Sequence, residues 1–116
     1  MRNFQNLIAW RKSYLLTLKI YKVSLLFPKE EMYGLISQIR RSSSSIPTNI
    51  SEGCGRSSKI ELQRFLTIAC GSCSELQYQL ILAKDLGFLQ IPIYKELYDL
   101  VIEIRKMIYG LIKSLN

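Results

Sequence analysis

Residues 58–83, SKIELQRFLTIACGSCSELQYQLILA, decide the fold of this 116-residue chain. Apolar and small side chains recur there every three or four positions, which is the spacing of one face of an α-helix; they are Leu62, Leu66, Ala69, Cys73, Leu76, Leu80 and Ala83. Ser58 and Glu61 have the spacing of a capping box, and Gly87 suits the position after a helix end. The stretch predicts one long helix whose small central residues, 69–74, let a neighbouring helix come close.

Two further helices are predicted at the ends of the chain. The first carries the apolar stripe Leu7, Trp10, Tyr14, Leu18, Tyr21 and Leu25. It ends before Pro28, because the residue before a proline avoids the α conformation. The last begins at Pro92 and carries the inner face Tyr94, Leu97, Val101, Ile104, Ile108, Leu111 and Leu115. A neighbouring stripe indicates either a subunit interface or one wide apolar face, and consists of Tyr98, Ile102, Tyr109 and Ile112.

The second helix contains both a clear apolar face and two warnings. Acidic side chains favour helix N-termini, so this helix is expected to begin near Glu30 or Glu31. Its inner face is predicted to hold Met32, Ile36, Ile39, Ile46 and Ile50, with Ser43 filling the gap, and Gly53 and Gly55 close it. The serine run 42–45 favours helix weakly, and a proline inside a helix costs about 3 kcal/mol. Pro47 therefore indicates either a kinked helix or two shorter helices that meet near Ser43.

A polar stripe runs opposite that apolar face, at Gln38, Arg41, Ser45, Asn49, Glu52 and Arg56. It suits a plain exposed face, a hydrogen-bonded seam between subunits, or the lining of a pore. Asn49, Glu52 and Arg56 are spaced so that neighbours three or four positions apart can contact each other directly.

Four helices of about 20–28 residues with short connections form a bundle about 30–40 Å long. No segment shows the alternation typical of β-strands. At this length one domain is expected. The sequence thus predicts an all-α fold, an antiparallel up-down four-helix bundle over residues 1–116 as a single domain.

The charge of the chain and its lack of histidine favour some classes of function and exclude others. The chain has 16 Lys or Arg against 9 Asp or Glu, a net charge of +7, and no His. Without His there is no Ser-His-Asp or Cys-His pair and no imidazole metal ligand. We therefore expect no enzyme activity and no cofactor. The positive excess favours a polyanion or an acidic protein as partner.

The apolar runs of the sequence bear on the compartment of the protein. No run suits a signal peptide or a membrane span, so we expect a cytoplasmic protein that does not associate with membranes.

Cys70 and Cys73 form a C-x-x-C pair, and Cys54 is the third cysteine. A redox pair works at a helix N-terminus, whereas this one lies within the long helix. We interpret these thiols as packing in a helix interface, with a thiol redox enzyme as the competing hypothesis.

The clearest charge feature is the set Arg40, Arg41, Arg56, Lys59 and Arg64. We expect these residues to lie together, around the end of the second helix and the start of the third, as a nucleic-acid-binding patch, because arginine pairs well with phosphate. The competing interpretation is a solvated face with ordinary ion pairs. A looser basic region on the first helix comprises Arg2, Arg11, Lys12, Lys19 and Lys22.

The order of motifs resembles a known family. The motifs are LIAW at 7–10, FP at 27–28, EMYGL at 31–35, QIRR at 38–41, SIPTNISEG at 45–53, Arg56, FL at 65–66, Ala69, GS at 71–72, EL at 75–76 and residues 83–89. They are similar to those of the four-helix-bundle proteins encoded in bacterial 23S ribosomal RNA intervening sequences. They also resemble those of the accessory variability determinant proteins of diversity-generating retroelements. Arg40, Arg41 and Arg56 lie within these motifs.

This resemblance implies an up-down bundle that assembles into a ring-like homo-oligomer, with a pentamer favoured, and a basic surface. The retroelement members bind nucleic acid and a reverse transcriptase. Our leading hypothesis is a non-enzymatic, oligomeric, basic protein that binds RNA or DNA through phosphates, largely independently of sequence. The alternative is a scaffold that docks an acidic partner protein, such as a reverse transcriptase.

Overall fold

A computed structural model describes residues 2–116. It contains four α-helices: α1 (Ile8–Ser24), α2 (Leu35–Cys54), α3 (Lys59–Asp85) and α4 (Ile91–Ser114). Short 3₁₀ helices, Phe4–Asn6 and Lys29–Glu31, precede α1 and α2, and no strand occurs in the described residues. The predicted all-α, four-helix fold is confirmed. Within residues 2–116, no helix is both long enough and apolar enough to cross a bilayer.

α3 begins and ends where its sequence predicts. The Ser58 hydroxyl accepts a hydrogen bond from the Glu61 backbone N–H at 3.1 Å, which confirms Ser58 as the N-cap. At the other end Gly87 adopts a positive φ of 81°, a conformation that glycine adopts without strain. The N–H groups of Gly87 and Phe88 bond the carbonyls of Lys84 and Ala83, which is the Schellman pattern. All seven predicted core positions of α3 are buried.

α1 packs through a different face from the one that its apolar spacing predicts. The buried residues are Ala9, Ser13, Leu16, Ile20 and Ser24. Tyr14, Leu18 and Tyr21 stay about half exposed, and Leu25 is 74% exposed. The spacing identified the helix but not the face that the bundle buries, since only Leu7 and Trp10 of the stripe pack against the core and the fully buried large residues are Leu16 and Ile20.

α2 begins at Leu35, four residues after the predicted start at Glu31. The Glu31 carboxylate nevertheless stabilises the N-terminus of the helix, because it accepts a hydrogen bond from the Leu35 N–H at 3.1 Å. Met32 precedes the helix and is 53% exposed, so its predicted place in the core was wrong. The rest of the predicted inner face is buried: Ile36, Ile39, Ser43, Ile46 and Ile50.

α2 continues through Pro47 as one helix and does not divide into two. Proline has no N–H, so the carbonyl four residues earlier loses its helix donor. That carbonyl belongs to Ser43, and the Thr17 hydroxyl of α1 donates to it at 3.0 Å, sharing its proton with the Ser13 carbonyl at 2.9 Å. The proline therefore supplies an acceptor for a bond between two helices.

α2 lies close to α3 along its length because small residues face each other. Ser42 donates to the buried Gln79 side chain at 2.5 Å, and the hydroxyls of Ser45 and Ser72 hydrogen-bond at 2.9 Å. A Cβ on Gly53 would stand 3.0 Å from the Cβ of Phe65. This contact leaves no room for a larger side chain at position 53.

α4 buries most of its predicted inner face: Leu97, Val101, Ile104, Ile108 and Leu115 are buried, whereas Tyr94 and Leu111 are partly buried. The helix starts one residue before Pro92. In the neighbouring stripe, Tyr98 accepts a hydrogen bond from Gln77 of α3 at 3.3 Å, and Ile112 packs against the core. These two residues belong to a wide inner face, while Tyr109 stays half exposed.

Gly53→Ala tests the close approach of α2 to α3. We expect a loss of about 1–2 kcal/mol in the free energy of unfolding, because the added methyl group meets Phe65 and the Leu62 side chain at 3.1 Å. Gly71→Ala is the matched control, since a Cβ there has no neighbour within 4 Å and should stabilise α3 by roughly 0.5–1 kcal/mol. Urea unfolding measures both, and equal effects of the two substitutions would contradict the close contact.

Candidate nucleic-acid interface

The five basic residues predicted as one patch lie in two separate places. Arg40 and Arg41 stand near the start of α2, whereas Arg56, Lys59 and Arg64 follow its end and begin α3. Fifteen helical positions separate Arg41 from Arg56, which is about 22 Å along the helix axis. The prediction of a single cluster was wrong for Arg40 and Arg41, because α2 continues through Pro47 as one helix and holds them in its first half.

Arg40 ties α2 to the last turn of α1. Its Nε donates to the Ser24 hydroxyl at 2.8 Å, and its Nη2 donates to the Tyr21 carbonyl at 3.4 Å. The guanidinium also lies over the Tyr21 ring, 4.8 Å from the ring centre. A cation here bonds one carbonyl of the last turn and complements the negative end of the α1 dipole. Arg40 is therefore held in one position by the fold.

Arg40 also lines a groove that the end of α1, the connection before α2 and the start of α2 enclose. We call this the α1–α2 groove and define it by Tyr21, Lys29, Tyr33, Arg40 and Arg41. Its volume is about 710 Å³. Lys29 and Arg41 are exposed, and neither has an acidic partner within residues 2–116. None of the twelve described residues that line the groove is acidic.

The basic residues at the opposite end are largely balanced by acids. Arg56 pairs with Glu52 at 3.0 Å and approaches Glu61 at 3.9 Å, and Arg64 pairs with Glu61 at 3.2 Å. The Phe65 ring lies 4.9 Å from the Arg56 guanidinium and 5.5 Å from that of Arg64. For Arg56 and Arg64 the alternative of ordinary ion pairs on a solvated face fits the geometry.

Of the remaining basic residues, Lys59 and those of α1, some form ion pairs and others do not. Lys12 and Lys19 form ion pairs with Glu103 and Glu96 of α4. Arg11, Lys22 and Lys59 are exposed and have no ion pair among the described residues. Exposed pairs contribute little to stability, but they reduce the positive charge that a polyanion meets. The looser basic region predicted on α1 is therefore partly neutralised.

The polar stripe of α2 is divided between the interior and the solvent. Asn49 donates to the carbonyl of Ser45 at 2.8 Å and to its hydroxyl at 2.9 Å, and Ser45 bonds Ser72 of α3. The centre of the stripe is thus a seam between two helices of one chain. The predicted direct contact of Glu52 with Arg56 is confirmed, whereas Asn49 turns back to Ser45 instead of joining them.

The three cysteines are free, and Cys54 and Cys73 are buried. Burial raises the pKa of the Cys54 and Cys70 thiols, although Arg2 and Arg105, respectively, oppose the rise. Burial, with a further contribution from Cys70, raises the pKa of Cys73 to about 12, against the opposing charge of Arg105. A redox thiol needs a lowered pKa. The arrangement therefore favours thiols that pack in a helix interface.

Sequence reasoning missed Tyr21, Lys29 and Tyr33 as parts of the site. Tyr21 was placed only in the apolar stripe of the first helix, and Lys29 and Tyr33 lie in the connection before α2, where helical periodicity carries no information. The available signal was the combination of aromatic and basic residues within 29–41.

The Cys73 thiol should react slowly in the folded protein. Against the ordinary pKa of 9.0, a value of about 12 lowers the thiolate fraction at pH 8 by about a thousandfold. The pKa of Cys73 is higher in the folded than in the unfolded protein. The protonated thiol therefore contributes to the free energy of unfolding below pH 9, and this contribution is lost as pH rises from 9 towards 12. Alkylation of native and urea-unfolded protein, followed by mass mapping, measures the protection. Equal rates at Cys73 in both states would contradict it.

Comparison with known proteins gives two matches of different kinds. The model of the 23S rRNA-intervening sequence protein family matches residues 5–110. A crystal structure of a protein with unknown function, from the S23 ribosomal protein family of Bacteroides thetaiotaomicron VPI-5482, is similar, with a TM-score of 0.85 and 25% identity. The match covers 91% of this chain and 96% of that one. No curated protein matches. Since the family model spans most of the sequence, this chain belongs to the 23S rRNA-intervening sequence protein family.

Proposed function

We propose that this protein binds RNA or DNA through phosphate contacts in the α1–α2 groove, without reading base sequence. The observation that carries the proposal is the charge of the groove, where Lys29, Arg40 and Arg41 face no acidic residue among the described lining residues. Arginine offers paired N–H donors that match phosphate oxygens. The net charge of +7 also favours a polyanion as the partner.

The fold prepares the groove for a charged ligand. Arg40 is already held by Ser24 and Tyr21, so binding need not order its side chain. Arg41 and Lys29 are exposed and can adjust to a phosphate backbone. We assign the groove a larger part in binding than Arg56 and Arg64, because Glu52 and Glu61 offset their charge. The proposal contains no catalytic step and no cofactor.

We also infer that the helices form the antiparallel up-down bundle expected from the sequence. Early residues of one helix contact late residues of the neighbouring helix, both for helices that follow each other in the chain and for α1 with α4. The supporting pairs are Arg40–Ser24, Ser42–Gln79, Gln63–Asn116, Lys12–Glu103 and Lys19–Glu96.

Three free thiols suit the reducing cytoplasm, which we retain as the proposed location. The similarity to retroelement accessory proteins stays a prediction from the motifs.

We further propose that copies of the chain associate through the outer face of α1. Tyr14, Leu15 and Leu18 lie there about half exposed, next to one another on the helix surface. Contiguous exposed apolar side chains mark interaction surfaces. A ring of five, which the motif resemblance implies, would carry about +35 from five copies at +7 each. Such an assembly would strengthen the attraction to a polyanion.

Leu18→Asp should lower the mass of the assembly, because a carboxylate in an apolar interface must lose its hydration. Light scattering measures this mass. Ile60→Asp is the control, since Ile60 is exposed on α3 and lies away from the proposed interface. A monomeric wild-type protein would contradict self-association, and an unchanged mass of the Leu18 variant would exclude this face.

Arg41→Glu should weaken nucleic-acid binding and reduce its dependence on salt. We expect the slope of log affinity against log salt to become shallower by about one, as for the loss of one phosphate contact. Fluorescence anisotropy with labelled RNA and DNA, from about 50 to 200 mM salt, measures this slope. Arg41 suits the test better than Arg40, whose replacement would also break its contacts with α1.

Two matched variants locate the binding surface. Arg11→Glu makes the same charge change on α1 and should affect binding less, whereas Lys59→Glu reports on the opposite end of the molecule. If Lys59→Glu weakens binding and Arg41→Glu does not, the site lies at that opposite end. Absence of binding at low salt would overturn the nucleic-acid proposal, and recovery of an acidic protein after nuclease treatment would then favour the scaffold alternative.

A further inference from the structure

We propose that the α1–α2 groove takes single-stranded nucleic acid, with one base stacked on Tyr33 and the neighbouring phosphates bound by Lys29 and Arg41. This inference rests on the proposed function, because it names the strand form that the same groove binds. Its specific content is the role of an aromatic side chain that phosphate binding alone does not need.

Tyr33 is the most exposed large side chain next to the groove. It is 94% exposed and lies in the connection between the 3₁₀ helix Lys29–Glu31 and α2. A tyrosine ring usually gains stability by burial, so a ring left almost wholly in water adds little to folding. Its flat apolar face is available to a ligand that carries an aromatic ring of its own.

The lining of the groove includes a second aromatic residue. Tyr21 is about half exposed, and the Arg40 guanidinium covers one face of its ring at 4.8 Å. The exposed apolar side chains of Leu25 and Met32 complete the lining near these rings. The groove thus combines cations with aromatic and apolar surface. That combination is typical of proteins that bind single strands, where bases stack on rings and phosphates follow the basic residues.

A duplex would use only part of this surface. Its phosphates face outward and can meet Lys29 and Arg41, but its bases are stacked on each other inside the helix and cannot reach Tyr33 without being unstacked. Single-stranded bases are free to stack on an aromatic side chain. The geometry therefore favours single strands over duplexes at equal length and salt.

Side chains, rather than the N-terminus of α2, bind the phosphates in this arrangement. The Glu31 carboxylate already accepts the hydrogen bond of the Leu35 N–H, and its negative charge stands where an anion would otherwise approach the helix end. Removing Tyr33 should therefore leave the phosphate contacts, and hence the salt dependence, almost unchanged.

The experiment compares strand forms on three variants. Labelled oligouridine and oligothymidine of about 12 nucleotides, and an RNA duplex of the same length, are titrated by anisotropy with the full-length protein. Tyr33→Ala should weaken single-strand binding roughly tenfold or more and leave duplex binding unchanged. Tyr33→Phe should retain single-strand binding. Tyr78→Ala removes an exposed tyrosine of α3 that does not line the groove and should have no effect.

Each outcome separates this inference from the proposed function. If Tyr33→Ala has no effect, or weakens single strands and duplexes equally, while Arg41→Glu still reduces affinity, the groove binds phosphates only and the single-strand inference is wrong. If Arg41→Glu also leaves all affinities unchanged, the groove is not the site and the proposed function fails with it. The uridine and thymidine arms show whether RNA or DNA is preferred. Circular dichroism confirms that the variants are folded.

Discussion

The close approach of α2 to both α1 and α3 is the constraint on which the rest of the structure depends. Helices approach this closely only where their facing side chains are small. Hydroxyl groups buried at such contacts need partners, which Ser42 finds in Gln79. Pro47 belongs to the same arrangement, because the carbonyl that it frees on Ser43 accepts a bond from Thr17 of α1. A proline that would weaken an isolated helix here joins two helices.

The continuity of α2 decides where the charges lie. Because the helix does not divide at Pro47, Arg40 and Arg41 stand about 22 Å from Arg56 along the helix axis. Arg40 completes the last turn of α1, and Arg41 remains free to meet a ligand. The charge excess of +7 is therefore unevenly distributed. Ion pairs offset part of it on α1 and at the start of α3, whereas the three cations that line the α1–α2 groove form no ion pair among the described residues, and Tyr33 adds an aromatic surface there that the core does not use.

Much of the fold could be predicted because helical periodicity reports directly on a helix that packs on one side. α3 shows this best, since its N-cap, its glycine terminus and all of its core positions follow from local sequence. α1 shows the limit, since it offers two candidate faces and both carry large apolar side chains. Periodicity favours the stripe of Tyr14 and Leu18, but the bundle buries Leu16 and Ile20 together with Ala9, Ser13 and Ser24.

The sequence by itself determined four helices, their approximate ends, a basic and histidine-free surface, and the family to which the chain belongs. These properties depend on composition and on contacts between residues close in the chain. Only the tertiary structure decided which face of α1 is buried, that Arg40 is bound to α1, and that Lys29, Tyr33 and Arg41 line one groove. Those features depend on how closely the helices pack and on which side chains then meet, and no local pattern encodes either quantity.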